Sequence, residues 1–66
     1  MGRTISAKDA VRALEAAGFR IDRQRGSHIT LKHPDGRLTQ VPMHSGDLKS
    51  GTMRSIERAV GFKLKD

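Results

Sequence analysis

Ala7, Ala10, Val11, Leu14 and Ala17 stand at i, i+3, i+4, i+7 and i+10, so a single apolar stripe runs along a helix predicted over residues 7 to 17. Lys8, Arg12 and Glu15 fall off that stripe. Ser6 followed by Asp9 resembles a capping box with Asp in place of Glu, and Gly18 stands where a C′ glycine ends a helix. A stripe made mostly of alanine lets such a helix approach a sheet closely.

From residue 19 the period changes to two. The run 19 to 25 sets Phe19 and Ile21 on one face against Arg20, Asp22 and Gln24 on the other. Gly26 and Ser27 connect it to the run 28 to 33, where Ile29 and Leu31 point inward and His28, Thr30 and Lys32 outward. Pro34-Asp35-Gly36 is a turn, with the proline pre-set and the glycine free to take positive φ. The run 37 to 42 is a third strand with Thr39 and Val41 inward. Residues 43 to 51 are loop, rich in Gly, Ser and Asp. Met53, Ile56 and Val60 then mark a second helix over 52 to 60, ended by Gly61. "AAGF" (16 to 19) and "AVGF" (59 to 62) close the two helices alike, as one Schellman-type stop used twice.

The order is α-β-β-β-α. Tight connections make the strands an antiparallel meander, and two amphipathic helices must cover its one apolar face. The expected fold is an α+β domain of double-stranded-RNA-binding architecture, filling residues 1 to 66 as one unit. The other sheet face is left open, and His28, Thr30 and Lys32 sit on it.

Charge adds to this picture. Thirteen Lys and Arg against seven Asp and Glu give a formal charge of +6, scattered along the folded sequence rather than gathered in a tail. So basic a small domain attracts polyanions, nucleic acid above all. With no cysteine there is no disulfide framework or thiolate metal site, as suits a reducing cytosol. No apolar run reads as a signal peptide or membrane span, so a cytoplasmic place without membrane attachment is expected. "MGRTIS" fits the permissive myristoylation pattern, but Ser6 has a better use as helix cap.

Several chemistries fail on spacing. His28 and His33, five apart on one strand, point to opposite faces, and no metal or other cofactor is expected. "GDLKSGT" (46 to 52) lacks the lysine of a Walker A loop, and Ser50 reads as the cap of the second helix. Ser27 and His28 are strand neighbours that point apart, against a serine triad. RNA cleavage asks for less, because the ribose 2′-OH is an internal nucleophile. An imidazole, with its ordinary pKa of about 6.5, can remove or supply the proton. Cations such as Arg25 and Lys32 can stabilise charge on the phosphate. From the residues alone, His28 as a solvated strand residue stands level with His28 as a proton-transfer group.

Three motifs alter that balance: Arg25-Gly26-Ser27-His28, Val41-Pro42-x-His44, and Gly51-Thr52-x-Arg54-x-Ile56. In this order and spacing the chain resembles the HicA (YcfA-type) toxins of bacterial and archaeal toxin–antitoxin systems. The resemblance runs from the first helix to Gly61-Phe62, with Met53 where Leu is usual. It implies the same fold and ribosome-independent cleavage of mRNA that arrests translation. It implies His28 as the catalytic residue, Gly26 and Ser27 as the turn that places it, and a HicB-type antitoxin that masks it. His44 is a candidate for RNA binding or proton transfer, level with a plain loop histidine. In the scheme joining both lines, Arg25 and Lys32 hold the phosphate, Arg23 guides the RNA, and the free chain is a monomer. Two competitors share the charge: a non-catalytic RNA-binding module of the same fold, and an interaction protein whose basic face binds an acidic partner.

Overall fold

The computed structural model describes residues 4–43 and 46–64. Its elements follow the expected order: α1 (Ala7–Ala16), β1 (Arg20–Arg25), β2 (His28–Lys32), β3 (Leu38–Pro42) and α2 (Ser50–Val60). The strands form one antiparallel sheet in the order β1-β2-β3. Among the described residues no helix is long and apolar enough to cross a membrane.

Helix α1 starts where Ser6, in extended backbone, accepts a hydrogen bond from the Asp9 N–H through its Oγ at 3.0 Å. This satisfies one of the amides that a helix start leaves without a partner. It stops in a full Schellman motif: the Gly18 N–H donates to Glu15 and the Phe19 N–H to Leu14. Gly18 has φ +101°, a backbone conformation that favours glycine, and a Cβ there would stand 2.9 Å from His33 Nε2, so the imidazole would have to shift to admit it. The stop of α2 is the simpler αL form, with only the Gly61 N–H donating to Glu57. The two similar tetrapeptides therefore end their helices differently.

Ala7, Ala10, Val11 and Leu14 are buried as the stripe requires, whereas Ala17 is exposed because the helix has already ended at Ala16. They meet Phe19, Ile29, Leu31, Val41, Ile56 and Val60 in one core. Thr39 and Val41 face inward as expected. Leu48 also joins the core from the loop before α2. Its N–H donates to the Ile5 carbonyl at 2.8 Å, beside a bridge between Ser6 and Asp47, so the residues leading into α1 are clasped to the loop before α2.

Ile21 departs from expectation. It pairs with Leu31 and shares its face, yet it is 48% exposed because both helices pack chiefly against β3, away from β1. The second helix begins earlier than predicted, at Ser50, and Ser50 is not its cap. Lys49 holds that position and makes no capping bond through its side chain. His33 lies beyond β2, edge-on to Phe19 at 5.0 Å between centroids, with the Arg37 guanidinium 5.1 Å from the same ring. Arg37 also donates to the Val60 carbonyl, tying the β2–β3 turn to the end of α2. His33 Nδ1 is 3.1 Å from the Asp35 N–H and 3.0 Å from Asp35 Oδ1; a neutral ring accepts from the first and a protonated ring donates to the second.

Candidate functional site

The open face is set by register. Arg25 pairs with His28 and Arg23 with Thr30, while Ile21 pairs with Leu31. Between Ile21 and Arg23 the register shifts by one residue, and Asp22 is the extra residue of a β-bulge. Strict alternation would put Ile21, Arg23 and Arg25 on a common face. The bulge breaks that phase, leaving Ile21 on the helix side and carrying both arginines to the open side. On the far flank of β2, His28 pairs with Pro42 and Thr30 with Gln40. Three strands thus converge on one shallow concavity lined by Arg23, Arg25, His28, Thr30 and Gln40.

His28 enters β2 directly after a two-residue turn. Gly26 has φ +60° and Ser27 does not have positive φ, the type II′ pattern whose twist suits a hairpin. The Gln24 side chain reaches the Gly26 carbonyl at 3.4 Å, and Ser27 accepts a hydrogen bond from the Met43 N–H. Cross-strand pairing sets the Arg25 and His28 Cβ atoms about 4.5–5.5 Å apart. His28 is exposed on the surface, as are both arginines. Arg23 Nε stands 3.7 Å from Asp22 Oδ2, a solvent-screened contact worth little, so the guanidinium can turn to another anion.

Thr30 is buried although it faces the open side, because it lies on the central strand between Arg23 and Gln40. Its Oγ1 is 3.4 Å from Gln40 Nε2. Lys32 shares the face but does not line the concavity; four residues along β2 set it roughly 13 Å from His28. It pairs instead with Arg20 and Leu38. His44 and Gly2 lie outside the described residues. Gln40 was not singled out from the sequence; only the pairing of β2 with β3 brings it in.

The arrangement offers one imidazole beside two guanidiniums on a surface open enough for an extended chain. Guanidiniums recognise phosphate through paired N–H donors. An imidazole at the same spot can exchange a proton with a group held there.

Comparison with known proteins agrees with the residues. No curated protein matched the chain. A family-wide sequence pattern, that of the HicA toxin of bacterial toxin-antitoxin systems, matches residues 7–62, from the first residue of α1 to just past the end of α2. A match over nearly the whole chain, covering every element of the fold, places this protein in the HicA toxin family.

Proposed function

We propose that this toxin is a metal-independent endoribonuclease that cleaves mRNA in the cytoplasm and arrests translation, held in check by a HicB-type antitoxin. The observation that carries the reading is the bulge at Asp22, through which Arg23 and Arg25 share the face and the concavity of His28. In the scheme, the ribose 2′-oxygen attacks the adjacent phosphorus as His28 takes its proton, or His28 gives a proton to the departing 5′-oxygen. The P–O5′ bond breaks, and the products are a 2′,3′-cyclic phosphate and a 5′-hydroxyl. Arg23 and Arg25 stabilise the charge on the phosphorane, with Lys32 further along guiding the strand. Gly26 and Ser27 place His28 at the hairpin turn.

A second reading has its own support. Among the described residues lining the concavity, His28 alone carries an imidazole, whereas cleavage needs a base and an acid. His44 is the candidate for the second role. If it does not serve, a non-catalytic RNA-binding module remains.

The test is incubation of a purified mRNA, with EDTA present, with the wild-type protein, His28→Ala and His44→Ala. Wild-type cleavage to cyclic-phosphate ends, reduced about 10²–10⁴-fold in His28→Ala with its circular dichroism unchanged, supports the scheme. Equal cleavage by wild type and His28→Ala removes His28 from the chemistry. RNA shifted in a gel but never shortened favours the binding module.

A further inference from the structure

We propose that the outer edge of β3, which no strand covers among the described residues, together with the groove between it and α2, docks an extended acidic segment of the antitoxin protein as a fourth strand of the sheet. This rests on the antitoxin partner that membership in a toxin–antitoxin family implies.

The hydrogen-bonding phase of β3 comes first. The His33 N–H donates to the Arg37 carbonyl and the Met43 N–H to the Ser27 carbonyl. Bonded and non-bonded pairs alternate along an antiparallel ladder. Thr39 and Val41 therefore bond to β2, while the N–H and C=O groups of Leu38 and Gln40 point away from it, along the outer edge. Pro42, next in that outward series, has no N–H to offer and ends the row of donors.

The protection of the two edges differs. Exposed edges are usually blunted by charge or by a bulge. The β1 edge has both, with Arg20, Asp22, Arg23 and Arg25 along it and the register shift in its middle. In β3, Leu38–Pro42, there is no charged residue and no break in register, and Leu38 is 53% exposed. An edge left regular, uncharged and partly apolar is one suited to strand addition.

The groove beside it has room for a strand. Its α2 wall carries Gly51, Ser55 and Ala59, four residues apart and so on one ridge of the helix. Nothing lies within 4 Å of where a Gly51 Cβ would be. The preceding ridge, Arg54 and Arg58, is exposed along the outer rim. An incoming strand thus meets the outward amides of β3 on one side and, on the other, the small-residue ridge of α2, next to the ridge of Arg54 and Arg58. In a chain of charge +6, this favours an acidic segment over a second copy of the chain.

Seated there, the segment would run past Gln40, which also lines the concavity of His28. Docking at this edge would therefore bring the antitoxin to the rim of the candidate site.

The test co-expresses the chain with the product of the reading frame adjacent to its gene. It then measures amide exchange and affinity for wild type, Ser55→Glu and Leu38→Pro. The expected result is slowed exchange at the Leu38 and Gln40 amides in the complex. Ser55→Glu, an exposed helix position away from His28, should weaken binding about tenfold or more while free-chain cleavage of mRNA is unchanged. Leu38→Pro removes an outward N–H and should act the same way; if it fails to fold, Ser55→Glu still decides.

Protection confined to the His28 face, or full affinity in Ser55→Glu, overturns the docking site. So do absence of any complex, concentration-dependent protection of the chain alone, and protection of these amides by RNA. In each of these cases cleavage by the free chain is unaffected, so the ribonuclease reading stands or falls separately.

Discussion

β1 and β3 flank the same central strand, yet all six residues of β1 are exposed while β3 buries Thr39 and Val41 beneath the helices. β1 carries the bulge and the arginines; β3 carries the core contacts and an unbroken register. Freedom from packing lets β1 hold an irregularity and a cluster of positive charge without disturbing the core. In this small domain the helix contacts gather on β3, while β1 supplies the cations of the candidate site.

Truncation tests the comparison most strongly. Val41→Ala removes fully buried methyl groups from β3 and should cost about 2–3 kcal/mol, roughly 10 °C or more in Tm. Ile21→Ala on β1, half exposed, should cost about 0.5–1 kcal/mol. Thermal melts of the two variants should differ plainly, and equal losses would mean that β1 shares the core after all.

A smaller effect is expected from Arg25→Ala. Its melting should be unchanged, its RNA affinity lower, and the salt dependence of binding shallower by about 0.7 in the slope of log K against log salt, one single-strand phosphate contact. An unaltered slope would remove Arg25 from phosphate binding.

The smallest effect concerns the turn into β3. The Arg37 backbone N–H, and then its guanidinium, hold the exposed Asp35 carboxyl below its ordinary pKa of 3.8. A carboxyl depressed on folding contributes stability above its unfolded pKa and loses it as pH falls through the folded value. Tm should therefore decline slightly more steeply below pH 3.8 in wild type than in Asp35→Asn. Parallel curves would show that the turn contributes nothing there.

Much of this fold could be read wherever one face of an element is buried. The α1 stripe and the inward Thr39 and Val41 follow from a pattern that burial enforces, and the Ser6 cap and Gly18 stop from the chemistry of helix ends. Where both faces of an element meet water, that enforcement is missing. The run RIDRQR has no apolar alternation to fix its phase after Ile21, so neither the exposure of Ile21 nor the bulge at Asp22 was legible. Leu48 was missed because an isolated leucine in a polar loop has no period, and its burial depends on the distant Ile5 carbonyl. Ser50 had the composition of a cap, but the helix began one residue earlier in relation to it. In the candidate site, His28 and Thr30 were correctly set outward from the β2 pattern; Arg23 and Arg25 reach the same face by a route that alternation does not encode.

The extra residue at Asp22 also divides β1 into two stretches whose side-chain phases are counted separately, one from the Leu31 pairing and one from the His28 hairpin. The short stretch from Arg23 to His28 is timed by its own turn, so the facing of the two arginines is set independently of the phase of the residues before Asp22.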